Sequence, residues 1–240
     1  MNNESLSAPV EPQETTQTKE LLGIGDLLKI SWSIIKNNIT TLLGIVALYL
    51  VVATGIECLP AIFKAFTVPV TIAISLITGI GLTFAINNIL EGSPVGIKES
   101  YKTGFKKFFP YCWVISLIFL AVVGGFLLLI IPGIIFAVRF SLAGYAYIIE
   151  GTRSTKALKR SKQLVKGNWW YVLGAPLICG IIYGICIYVP IGVLFAILKF
   201  GLKLPYRLCT PLFQIPAGLA MITSTAVYVL MFRNLRDVKG

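Results

Sequence analysis

PGIIFAVRFSLAGYAYIIEGTRSTKALKRSKQLVKGNWWYVLG, residues 132–174, decides the fold class. It runs from a Pro-Gly pair through an apolar helix carrying one arginine to a Glu-Gly break. A basic stretch with helical periodicity follows and feeds a second apolar run. Two apolar helices joined by a charged connector are what a chain crossing a bilayer more than once requires, because lipid leaves backbone polar groups no partner outside their own segment.

Working outward, the composition agrees. Apolar residues make up 56% of the chain and charged residues 13%, with a mean hydropathy of +0.84, well outside the balance of a soluble domain. Runs of about 20 apolar residues fall at 39–58, 68–90, 111–131, 133–149, 170–197 and 210–232. The expected fold is all-α and polytopic: six transmembrane helices in one domain over 23–240, behind a polar tail over 1–22. That tail is rich in Glu, Gln, Thr, Ser and Asn, reads as disordered, and has no basic segment leading into an apolar core as a cleavable signal would.

The net charge of +11 is distributed by side. With the N-terminus inside, sixteen basic residues fall in inner segments and four in outer ones, with Arg139 within a span. Such a bias predicts both termini inside. Topology and contact with the anionic lipid of the inner leaflet account for the lysines, and nucleic acid is not an expected partner, since no aromatic platform is interleaved with them.

Residues 29–44 and 159–174 align at an offset of 130, matching Lys29 to Lys159, Ser31 to Ser161, Lys36 to Lys166, Asn38 to Asn168 and Gly44 to Gly174. A weaker copy sets Ile97, Tyr101 and Lys106 opposite Leu27, Ser31 and Lys36. On a helical projection Ala157, Leu158, Ser161, Leu164 and Val165 share an arc of about 120°, while Lys156, Lys159, Arg160, Gln163 and Lys166 fill the other side. The expectation is a parallel threefold repeat, each unit an interfacial amphipathic helix followed by two spans, with Lys29, Lys36, Lys106, Lys156, Lys159, Arg160 and Lys166 on inner-leaflet phospholipid.

Pro132-Gly133-Ile134, Glu150-Gly151, Ala157-Leu158, Ser161, Leu164, Lys166-Gly167 and Trp170 together resemble the glycerophosphoryl diester phosphodiesterase membrane-domain family. The resemblance covers about 40 residues. It implies a multi-pass protein of the bacterial cytoplasmic membrane, here without the catalytic barrel some members carry.

Chemistry is sparse. The chain has no histidine and only Asp26 and Asp237 as aspartates, so phosphodiester hydrolysis lacks its acid, base and metal ligands. Its five cysteines have no C-x-x-C spacing, so neither a metal nor a cofactor is expected. Cys58 and Cys209, near the outer face, are conceivable disulfide partners. The expected function is a non-catalytic accessory or scaffold, with a membrane protein as a candidate partner. The alternative is a transporter or permease component for a lipid or anionic solute, and a more distant one is a lipid-modifying enzyme.

Polar residues within the spans carry the site expectation. An arginine inside a span costs several kcal/mol unless it snorkels or is paired. Counted from a Pro132-Gly133 turn, Arg139 lies about 9 Å deep, at a depth where Glu57 and Gln214 can join it in an outer-leaflet polar cluster. Two readings stay open: a cavity for an anionic headgroup or small solute, and a snorkelling arginine tying helices together. Pro132, Gly133, Glu150 and Gly151 are expected to act as helix-end structural residues.

Overall fold

The computed structural model describes residues 21–57, 64–153, 155–198 and 211–239. Every regular element among them is helical. The expected tail, together with Cys58 and Cys209, lies outside the described residues.

Helix α1 (Ile24–Asn37) follows the extended Gly23 and buries Leu27, Ser31, Ile34 and Ile35, spaced so that one face meets the protein. Asn38 stops it: its backbone N–H and its Nδ2 both donate to the Ile34 carbonyl. Helix α2 (Ile39–Glu57) begins at once, and α3 (Lys64–Leu90) returns. A turn through Gly92, at φ 76°, leads to α4 (Ile97–Leu128). Then come α5 (Ile130–Phe140), α6 (Ala143–Glu150), α7 (Thr155–Val165), α8 (Trp169–Ala196) and α9 (Pro211–Lys239).

Six segments are long and apolar enough to cross a membrane: Ile39–Ile56, Thr67–Leu90, Ile97–Leu128, Ile130–Glu150, Trp169–Ala196 and Pro216–Lys239. This is a multi-pass membrane protein. Its outward surface agrees, since Phe119, Leu120 and Leu127 of α4 and Ile181, Ile185 and Val189 of α8 point away from the protein, as side chains solvated by acyl chains do.

Helix α9 is the hub, packed on α8, α2, α1 and α3. Its Met231, Phe232 and Leu235 are completely buried in one core with Leu27, Leu42, Ile45, Leu82, Ile86, Leu142 and Leu164. The polar chemistry gathers at the C-terminal end of α9. Arg233 donates to the Asn87 carbonyl and side chain at 3.2 Å and meets Glu91 at 3.5 Å. Lys239 donates to the Gln163 and Lys166 carbonyls, and the Leu22 N–H donates to Asn234.

Three local expectations change. The segment around Lys106 is not a separate surface helix but the first turns of α4, which run unbroken into the span; its face is interrupted by Gly104, packed against the Ile77 carbonyl of α3. Pro132 and Gly133 do not make the turn. The chain reverses at the extended Leu129 (φ −168°, ψ 152°), and Pro132 sits in the first turn of α5, where a missing N–H costs no helical bond. The fourth span is interrupted at Ser141 and Leu142.

Candidate functional site

The α4–α5 pair sets the site. Gly125 of α4 comes so close to Gly133 that an added Cβ would lie 2.9 Å from the Gly133 Cα. Glycine-to-glycine approach of this kind lets two backbones pack without side chains between them. It fixes the rotation of α5, whose Ile131, Ile135 and Arg139, at i, i+4 and i+8, form one stripe facing α7 and α8.

Helix α7 is held against that stripe from behind. Its buried face is Ala157, Ser161, Leu164 and Val165, and the Ser161 hydroxyl donates to the Arg139 carbonyl at 2.7 Å. Glu150 ends α6 beside Gly151, which takes the left-handed conformation at φ 69°. The Glu150 carboxylate receives three hydrogen bonds from Arg160, at 3.0 to 3.2 Å. That pair fastens the start of α7 to the end of the preceding span. At the other end, Gly167 (φ 84°) turns the chain into α8, whose N-cap Asn168 makes no side-chain cap.

Between these three helices lies a groove of about 590 Å³ lined by Ile131, Ile135, Arg139, Lys162, Val165, Lys166, Gly167, Trp169 and Trp170. Its lining holds three cations and no acid. Among the described residues, none hydrogen-bonds to or ion-pairs with the side-chain nitrogens of Arg139, Lys162 or Lys166, and the buried Trp169 indole N–H has no acceptor. The first turn of α8 adds its unsatisfied backbone N–H groups and the positive end of its dipole. The arrangement has the chemistry to take an anion: the cations collect at one end, and Ile131 and Ile135 extend from Arg139 as an apolar wall about 12 Å long.

Arg139 therefore has different neighbours from those expected. Gln214 sits in the first turns of α9, and the helix from there to Lys239 is about 37 Å long. Since Lys239 meets the Lys166 carbonyl, Gln214 is at the far end of α9 from the turn that Arg139 faces. The side chain of Glu57 lies outside the described residues. The depth estimate also shifts, because the reversal is at Leu129: Arg139 is in the last turn of α5, near the middle of the fourth span.

Lys29, Lys36, Lys106, Lys156, Lys159 and Lys166 all point outward, whereas Arg160 is occupied by Glu150. The sequence reading missed Lys162, Trp169 and Trp170 as site residues. Their signal was present in the i, i+4 pair Lys162 and Lys166 leading into an indole pair. Gly180 and Gly184 make no close helix contact; they line a second, uncharged cleft of about 400 Å³ between α8 and α9.

A family described as Domain of unknown function (DUF7847) matches residues 61–233. The chain belongs to this family. The DUF7847 match begins beyond α2 and takes in all three helices of the groove, so the groove lies wholly within the part of the chain that defines membership. No curated protein and no solved structure matches the chain. The resemblance to the glycerophosphoryl diester phosphodiesterase membrane-domain family rests on the 132–174 block and gains nothing from these comparisons.

Proposed function

We propose that this DUF7847 protein is a non-catalytic accessory or scaffold of the bacterial cytoplasmic membrane that holds an anionic lipid in the groove between α5, α7 and α8. The observation that carries the reading is the groove itself, with three cations at one end, no acid in its lining and an apolar wall leading away. An arginine within a span is costly unless it snorkels or is paired, and with no counter-charge supplied by the described residues a lipid headgroup is the anion at hand. The Ile131 and Ile135 wall gives its acyl chain a path.

The same reading puts both termini and α7 on the cytoplasmic side, by the bias of lysine and arginine. It also takes residues 29–44 and 159–174 as two copies of one unit, each opening with an interfacial amphipathic helix. Support comes from the buried faces of α1 and α7, where Leu27, Ser31, Ile34 and Ile35 correspond to Ala157, Ser161, Leu164 and Val165 at the offset of 130.

The test is lipid retention. Wild type and the triple variant Arg139→Gln, Lys162→Gln, Lys166→Gln are purified from the same membranes in mild detergent, and the bound lipid is measured by mass spectrometry. At about 1 kcal/mol per cation the variant loses about 3 kcal/mol, roughly 150-fold in affinity, and emerges stripped of anionic lipid with its unfolding transition unchanged. A folded variant that keeps the wild-type lipid complement contradicts the proposal.

A further inference from the structure

We infer that the lipid in this groove carries a terminal phosphate, a phosphomonoester, rather than the phosphodiester of the common glycerolipids. This rests on the anionic-lipid reading above and goes beyond it by naming the headgroup.

Charge is the first argument. Arg139, Lys162 and Lys166 line one groove with no acid among them. A phosphodiester brings one negative charge and leaves two cations unmatched, whereas a phosphomonoester brings between about 1.5 and 2 near neutral pH. Donor number is the second. A terminal phosphate has three unesterified oxygens and a diester two. The guanidinium fork, two ammonium groups and the first turn of α8 can saturate the larger acceptor. Shape is the third. The apolar wall is a single stripe, Ile131 and Ile135, on one helix, which suits one narrow lipid body and not a headgroup bridging two phosphatidyl units.

The protein offers a clean background for the test. It has no histidine, the side chain whose ordinary pKa falls between pH 5 and 8. Arg139 comes from α5, Lys162 and Lys166 from α7, and Lys239 from α9, held by the carbonyls behind α7. Glu150 of α6 is engaged by Arg160. Helix α8 brings indoles and no charge to the groove, and α4 has no charged residue from 108 to 128, the part that runs beside α5. A pH dependence of binding between 5.2 and 7.2 thus reports the ligand, whose second ionisation lies near about 6.

The experiment is calorimetric titration of the full chain in neutral detergent with dioctanoyl phosphatidic acid, dioctanoyl phosphatidylglycerol and a short-chain cardiolipin, at pH 7.2 and 5.2. Phosphatidic acid is expected to bind about tenfold more tightly than phosphatidylglycerol at pH 7.2. It should weaken about fourfold at pH 5.2, because the dianion fraction falls about sevenfold for an ionisation near about 6 while the remaining monoanion binds as a diester does; both diesters stay flat. Arg139→Gln should lose most of the difference between the lipids.

Equal affinities at pH 7.2, or a phosphatidic acid affinity that does not change with pH, overturn the phosphomonoester assignment and leave anionic-lipid binding standing. No binding of any anionic lipid overturns the parent reading as well. In a separate arm, a hundredfold excess of inorganic phosphate should not displace the lipid. Displacement identifies free phosphate as the ligand and removes the lipid from the proposal.

Discussion

Alanine at Gly125 tests the contact that orients the groove wall. A Cβ built there lies 2.9 Å from the Gly133 Cα and 3.0 Å from its nitrogen, where ordinary contact begins near 3.4 Å. The Phe136 ring is also in the way, at 2.8 Å, but the Gly133 backbone beside it cannot be relieved by a rotamer change, so α5 must retreat by about half an ångström or more. Forcing an extra carbon into a closed contact costs about 1–3 kcal/mol. The neighbouring Gly124 is the control, because a Cβ there meets nothing within 4 Å. Both substitutions gain the same helix preference of about 1 kcal/mol, which cancels in the difference. G125A should therefore be about 1–3 kcal/mol less stable than G124A, with G124A at or above wild type. Reversible unfolding in mixed micelles of dodecyl sulfate, followed by far-ultraviolet circular dichroism, reads the difference. Equal stabilities would refute the argument that α4 and α5 meet backbone to backbone at this point.

Other predictions concern how α7 is fastened. Glu150→Gln removes the charge from a half-buried pair that makes three hydrogen bonds; a loss of about 1–2 kcal/mol is expected. Arg160→Gln should cost about the same, and the double variant should be less destabilised than the sum of the two, as a double-mutant cycle in the same unfolding assay would reveal. Ser161→Ala deletes the donor to the Arg139 carbonyl and should cost about 1 kcal/mol, with faster hydrogen exchange in the last turn of α5.

The spans were legible because lipid imposes a length and a composition that survive any error about tertiary packing. Their ends were not. Pro132-Gly133 has the composition of a turn, yet the chain reverses at Leu129, since Pro132 fits a helix's first turn and Gly133 leaves room for the Phe126 ring where α5 meets α4. That displacement carried into the placement of Arg139. The buried faces of α1 and α7 followed directly from helical periodicity, Ser31 and Ser161 included. The merging of the Lys106 segment into α4 was hidden, because a charged face predicts which side of a helix meets water but not where the helix stops. The groove was hidden for a similar reason. Its cations come from α5 and α7, and only the packing of α7 onto α5 through Ser161, Leu164 and Val165 brings Lys162 and Lys166 to the same groove as Arg139.

The most direct measurement of the central claim is photo-crosslinking in lipid nanodiscs. A phosphatidic acid bearing a diazirine early in its acyl chain is activated, and the labelled peptides are sequenced by mass spectrometry. A zwitterionic phosphatidylcholine probe is run in parallel. Label concentrated on Ile131, Ile135, Val165 and Trp170 with the anionic probe, and lost in the Arg139→Gln, Lys162→Gln, Lys166→Gln variant, is the predicted result. Label spread over the outward faces of α4 and α8 with both probes alike would contradict a lipid held in the groove.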